Sequence, residues 1–103
     1  MSGTRGEAAA RVEQEILAEK AAALGRAGER LEQALAEVAE LAAALAATRA
    51  PAERARLSQA YDEAWKRAAG ARLALLIQRE AVGLRHHRLV DQQFPEPPRR
   101  PPA

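Results

Sequence analysis

The sequence predicts an all-α protein: an antiparallel helical hairpin of two long helices that dimerises into a four-helix bundle. Two observations predict the hairpin. Apolar residues recur seven positions apart along two stretches of about forty residues, and a proline separates these stretches. A third observation predicts the dimer, because alanine supplies 27 of the 103 residues. Alanine favours helices but fills a core poorly, so we expect the hairpin to need another surface to pack against.

The first helix is predicted over residues 7–48, after a flexible N-terminus of residues 1–6. No proline interrupts this stretch. Its apolar row occupies five consecutive heptad positions: Leu17, Leu24, Leu31, Val38 and Leu45. The other side of the helix carries glutamate and arginine, so the helix is amphipathic and one face has to be covered.

The second helix is predicted over residues 51–91, which makes residues 7–92 the hairpin. Pro51 suits the first helical position, where a missing N–H is no loss. The second apolar row again has a period of seven: Tyr61, Ala68, Leu75, Val82 and Leu89. Prolines then end all helix, so residues 93–103 should form an extended, largely mobile tail with Phe94 as a tether.

Four glycines fall within the two predicted helices: Gly25, Gly28, Gly70 and Gly83. Equal distance from the turn places Gly28 opposite Gly70. Because an interior glycine costs a helix about 1 kcal/mol relative to alanine, we interpret the four as points of close backbone contact. The alternative is that Gly25, Gly28 and Gly70 break the helices, which would give a compact monomer of three or four helices.

The second helix has a further apolar face, away from the row that contains Leu75. This face consists of Leu73, Leu76, Ile77 and Leu84. A helix that is apolar on most sides has to be covered on most sides, and the first helix covers only one of them. We therefore expect this face to be the interface of a homodimer, with an unidentified protein partner as the alternative.

A polar patch borders this predicted interface: Gln78, Arg79 and Glu80. The amide of Gln78 lies at a core-like position, where it needs a partner and can fix the register of the helices. Arg79 and Glu80 are expected to pair with Glu19 and Lys20 of the first helix. We interpret the patch as structural, with a small-ligand or metal site at this segment and the adjacent histidines as the alternative.

The two histidines, His86 and His87, are weak evidence for a metal site. Neighbouring helical positions point about 100° apart, so the two rings cannot ligate one ion on a regular helix. Only His87 and Asp91 have the i, i+4 spacing of a helical ligand pair, and two ligands make a poor site. We predict no metal and no other cofactor, and keep His87 with Asp91 as the alternative.

Composition and motifs argue against several classes of protein. The chain has no cysteine, which excludes disulfides and thiolate chemistry. It has no uninterrupted apolar stretch of about 18 residues and no apolar signal at its beginning, so we expect a cytoplasmic protein without membrane contact. It also has no phosphate-binding loop and no nucleophile beside a base, so we predict that it is not an enzyme.

A basic C-terminal end makes nucleic acid a candidate partner. The sequence pI is about 9.7, and five arginines lie toward this end: Arg79, Arg85, Arg88, Arg99 and Arg100. The net charge of only +2, the presence of just three aromatic residues and the lack of a recognition motif argue against this partner. A weak nucleic-acid binder is therefore an alternative to the main prediction.

Two segments carry a resemblance. They are EKAAALGRAGERLEQAL, residues 19–35, and LIQREAVGLR, residues 76–85. Together they resemble a family of short uncharacterised bacterial helical proteins, a domain of unknown function, with Ala-Leu-Gly-Arg-x-Gly and Gln-Arg-Glu-Ala-x-Gly-Leu segments in successive helices. The resemblance implies no activity. It implies a common feature at Gly25, Arg26, Gly28, Gln78, Arg79, Glu80 and Gly83, and it does not extend to the proline-rich end.

The predicted function is therefore that of a non-enzymatic interaction or scaffolding module. It would act through a helical surface that binds a second copy or a partner protein.

Overall fold

The computed structural model describes residues 4–100 and is all-helical, as the sequence predicts. Helix α1 spans Thr4–Ala47, α2 spans Pro51–Ala81 and α3 spans Arg88–Gln93. The first two pack against each other as an antiparallel pair, and residues 4–100 contain no strand. The molecule is a rod with principal extents of 76 × 22 × 15 Å.

Both ends of the chain were expected to lack regular structure. Residues 4–6, predicted to be flexible, belong instead to α1, whose first residue is Thr4. Residues 1–3 of the predicted flexible N-terminus and residues 101–103 of the predicted tail lie outside the described residues.

The connection between α1 and α2 is closed by Arg54. Ala50 has extended backbone, with φ −62° and ψ 124°, as expected for the residue before Pro51. Helix α1 has no basic residue in its own last turn. Arg54 supplies the positive charge there, because its Nη1 donates to the carbonyl oxygens of Leu45 at 2.6 Å and Thr48 at 2.8 Å.

The core between α1 and α2 consists of two clusters of buried side chains. The cluster near the turn contains Val38, Leu45, Leu57, Tyr61, Ala64 and Ala68. The cluster near the open end contains Ala27, Leu31, Leu75 and Val90. The predicted heptad rows supply four of the six buried residues near the turn and two of the four near the open end, so the middle parts of the two rows face each other as predicted. Leu17 and Leu89, at the ends of the rows, are exposed instead.

The register of the two helices differs from the one that equal distance from the turn predicts. Equal distance would set Glu37 beside Asp62, but Glu37 Oε1 lies 2.6 Å from Arg67 Nη2. No atom of Gly70 lies within 4 Å of the position that a Cβ would occupy at Gly28, so the two glycines do not meet as predicted. Gly28 instead lines an open groove together with Leu75.

The glycines inside the helices therefore do not serve close packing. Gly25, Gly28 and Gly70 lie within continuous helices, so the alternative of a compact bundle of three or four helices broken at these glycines is wrong. No neighbouring atom lies within 4 Å of the position that a Cβ would occupy at any of the three. These positions have room for a side chain on the hairpin.

Helix α2 ends at Ala81, ten residues before the predicted end at residue 91. Gly83 has a φ of +87° and follows the last turn of the helix. The N–H of Gly83 donates to the carbonyl of Glu80 at 3.0 Å, and the N–H of Leu84 donates to the carbonyl of Arg79 at 2.9 Å. This is a Schellman motif, in which glycine takes the left-handed position. Gly83 therefore ends the helix, and was wrongly predicted to pack closely against α1.

The early end of α2 leaves part of α1 uncovered. The 44 residues of α1 extend about 66 Å and the 31 residues of α2 about 46 Å. Every residue from Thr4 to Ala22 is exposed. We call residues 4–22 the overhang, because they project beyond the end of α2.

Two glycine substitutions should change stability in opposite directions. Gly70→Ala meets no atom and removes a helix-interior glycine, so the free energy of unfolding should rise by about 0.5–1 kcal/mol. Gly83→Ala places a Cβ on a left-handed residue, so the same free energy should fall by about 1–2 kcal/mol. Urea denaturation followed by circular dichroism measures both, and a stabilising Gly83→Ala would contradict the helix end described above.

Candidate interaction surfaces

The overhang carries an unburied row of large apolar side chains. Val12, Ile16 and Leu17 are 54%, 47% and 64% exposed. Leu17 starts the heptad row whose members Leu31 and Val38 are buried against α2. The overhang thus continues the apolar stripe of α1 past the point where α2 stops covering it.

The face of α2 predicted to form an interface is divided by the structure. Leu73 and Ile77 are 59% and 55% exposed and lie one turn apart. Leu76 is half-buried and packs against the cluster that contains Leu31 and Leu75, so it belongs to the core. Leu84 is 43% exposed but follows the end of α2, so it does not share a helical face with the others.

The polar patch holds together the segment that follows α2. Arg79 Nη2 donates to the carbonyl oxygen of His86 at 2.8 Å, and Arg79 Nε lies 3.4 Å from His87 Nδ1. His87 Nε2 lies 3.1 Å from Glu80 Oε1. A neutral ring protonated at Nε2 satisfies both contacts, since Nδ1 then accepts and Nε2 donates. Arg79 and Glu80 thus bind the histidine segment rather than Glu19 and Lys20, because the chain turns back at Gly83.

Gln78 does not lie in the core. It is half-buried and lines a shallow groove of about 540 Å³ at the base of the overhang, with Ile16, Glu19 and Lys20 among its neighbours. Its amide is therefore close to the uncovered part of α1.

The alternative metal pair is engaged elsewhere. Asp91 Oδ1 lies 3.1 Å from Arg72 Nη1, while His87 contacts Arg79 and Glu80. Within residues 4–100, no three His, Asp or Glu side chains lie close enough to hold an ion together.

The proline-rich tail is docked along α2. Tyr61 Oη donates to the carbonyl oxygen of Pro98 at 2.5 Å, and Trp65 Nε1 donates to the carbonyl oxygen of Pro97 at 3.0 Å. The guanidinium of Arg99 lies 4.3 Å from the centre of the Trp65 ring, a cation–π distance. Residues 95–100 contain no helix or strand, and these contacts hold them on α2, so the prediction of a largely mobile tail tethered by Phe94 is wrong for this part of the chain.

Arg72 fixes the start of the tail. Its side chain is only 16% exposed, and its guanidinium donates to the Phe94 carbonyl as well as to Asp91. Phe94 is half-buried against the open-end cluster, which confirms its role as a tether. We call Tyr61, Trp65 and Arg72 the tail site.

The sequence contained a signal for the tail site. Tyr61 and Trp65 lie one helical turn apart, and each has a polar hydrogen that needs an acceptor when buried. A proline-rich segment offers carbonyl acceptors that no helix or sheet consumes. The sequence analysis predicted a largely mobile tail, whereas the groove that binds it lies on its own chain.

The basic side chains of the C-terminal end are partly engaged. Arg79 binds the histidine segment and Arg99 stacks on Trp65. Arg85, Arg88 and Arg100 are exposed. Neither contact pairs an arginine with an acidic side chain, so a weak nucleic-acid binder stays an alternative prediction.

Comparison with known proteins identifies no relative. No family model matches the chain, and neither a curated protein nor a solved structure shows significant similarity to it. The resemblance of residues 19–35 and 76–85 to a bacterial family therefore stays a prediction. None of the helices within residues 4–100 combines the length and apolar character needed to cross a membrane.

Docking of the tail should depend on pH through Tyr61. Burial, with a smaller contribution from the charge of Asp62, raises the pKa of Tyr61 above its ordinary value of 10.0. The phenol has to be protonated to donate to Pro98, so its contribution is fully present below pH 10 and is lost as the pH rises through the raised pKa. Fluorescence of Trp65, the only tryptophan, measures docking. A Tyr61→Phe variant should lack this alkaline transition, and an identical transition in it would contradict the assignment.

Proposed function

We propose that this chain is a non-enzymatic interaction module whose exposed helical surfaces bind a second copy of the same chain. The observation that carries the proposal is the overhang, nineteen exposed helical residues with large apolar side chains on the side that continues the core stripe. Most helical stability in proteins comes from packing an apolar face, and nothing within residues 4–100 covers this face of the overhang.

The second exposed apolar surface offers the matching contact. Leu73 and Ile77 lie on the side of α2 that faces away from α1. If two hairpins lie antiparallel with their open ends side by side, the overhang of each copy covers the outer face of α2 in the other. Such a two-fold arrangement is closed, and each contact occurs twice.

The stripe on α1 is then used along its whole length. Its C-terminal part packs on α2 of the same chain, and its N-terminal part packs on α2 of the partner. The heptad row begins at Leu17, in the part of α1 that α2 does not cover. In the proposed dimer, this part of the row packs against the partner. Four long helices take part, as the sequence-based prediction of a four-helix dimer requires.

Charge supports a contact between α1 and α2 of different copies. Helix α1 carries eight acidic and five basic side chains, whereas α2 carries four acidic and six basic ones. The overhang would bring Glu13, Glu15 and Glu19 toward a basic helix. Exposed pairs contribute only about 0–1 kcal/mol each, so charge favours the pairing of unlike helices while apolar burial supplies most of the affinity.

The oligomeric state tests the proposal. Size-exclusion chromatography with light scattering should give twice the chain mass of 11.1 kDa. Ile16→Glu with Leu17→Glu, and separately Leu73→Glu with Ile77→Glu, should each give the mass of a monomer, because unpaired charges would be buried in the contact. Gln14→Glu with Ala18→Glu is the matched control, since it adds the same charge one turn apart on a side of the overhang away from Ile16 and Leu17.

Mixing the two monomeric variants tests the reciprocal geometry. Each variant keeps the surface that the other has lost, so an equimolar mixture should recover one of the two contacts and form a heterodimer at higher protein concentration. An overhang that paired with another overhang would give no such recovery. A wild-type chain that remains a monomer at all concentrations, or double variants that still dimerise, would refute the proposal.

A further inference from the structure

We propose that the tail site is a binding site for proline-rich segments, that the chain's own tail is its resident ligand, and that a proline-rich segment of another protein can take the same place. The site is separate from the apolar surfaces of the proposed dimer. It lies on a third side of α2, and its occupant within this chain shows what chemistry it accepts.

The site recognises the backbone of its occupant. The donors of Tyr61 and Trp65 reach two consecutive carbonyl oxygens, those of Pro98 and Pro97. Consecutive carbonyls are free in this way only in a segment without internal hydrogen bonds, which is the state that proline imposes. Two aromatic side chains that donate from one turn of a helix thus select an extended, proline-rich strand of chain.

The side chains of the occupant add shape and charge. Arg99 stacks on the outer face of Trp65, so an arginine directly after the two prolines adds a cation–π contact. Pro97 is half-buried and lines a small cavity together with Trp65, Ala68, Ala69 and Arg72. With the contacts of Pro97, Pro98 and Arg99, the recognised pattern is Pro-Pro-Arg.

The tail can be displaced because few of its residues are covered. Of residues 95–100, only Pro97 is half-buried, and the others are exposed. The remaining attachment comes from Arg72 and Phe94, which hold the start of the tail and need not move when residues 95–100 leave. An external segment competes with the chain's own tail, whose short tether gives it a high effective concentration at the site. The segment should therefore bind the wild type weakly and a variant with a loosened tail more tightly.

Competition in trans tests the proposal on the full chain. The probe is a synthetic peptide of residues 94–103 with a fluorescent label at its N-terminus, and anisotropy reports its binding. Pro97→Gly with Pro98→Gly loosens the resident tail, and a change in Trp65 fluorescence checks that the tail has left. This variant should bind the peptide at least about 10-fold more tightly than the wild type does.

Two controls identify the contacts. Adding Tyr61→Phe to the loosened variant keeps the ring but removes one donor, so affinity should fall by about 5-fold. A peptide with alanine in place of its prolines should bind much more weakly. The proposal is overturned if Trp65 fluorescence shows that the tail has left the site in the loosened variant, yet this variant binds no peptide. It is also overturned if the proline-free peptide binds as tightly as the peptide of residues 94–103. The mass of the chain, measured on the same samples, reports on the dimer independently.

Discussion

The packing of one apolar stripe of α1 against α2 is the interaction on which the other features of this structure depend. In a chain so rich in alanine, few side chains can remove much surface from water, and a fully buried leucine or valine contributes about 1.5–3 kcal/mol. Leu31, Val38 and Leu45 are almost completely buried and spaced along the stripe. Their fit against α2 fixes the register of the hairpin, and the register in turn decides which residues of α1 extend beyond it.

The end of α2 at Gly83 is the second constraint. Because the chain turns there, the polar patch closes on the following histidines, and α3 brings Val90 and Phe94 back onto the open-end cluster. The returning chain then lies along α2 and delivers the tail to Tyr61 and Trp65. The same turn uncovers the overhang. The turn at one left-handed glycine therefore both directs the tail to its groove and leaves the overhang uncovered.

Each of the three aromatic residues of the chain helps to hold this returning segment on the hairpin. Phe94 packs on the core, and Tyr61 and Trp65 bind the tail through their polar hydrogens. Small alanine side chains leave a shallow groove along the hairpin beside Tyr61 and Trp65, and the prolines of the tail occupy this groove. The side of α2 that carries Leu73 and Ile77 has no such cover within residues 4–100. The two sides of one helix thus differ in what remains available for binding.

The sequence by itself determined the helical class, the two heptad rows, the turn before Pro51 and the end of helix before the tail, since each depends on local spacing or on the backbone limits of proline. It did not determine whether Gly83 would lie inside a helix or end it, because glycine is compatible with both and the choice depends on what the following residues pack against. Because the chain turns at Gly83, Arg79 pairs with the histidine segment rather than with α1. Leu76 enters the core while Leu73 stays exposed, because only Leu76 lies on a side of α2 that borders the core. Only the tertiary structure decided the register, the overhang and the tail site, since these depend on how large side chains distant in sequence fit together.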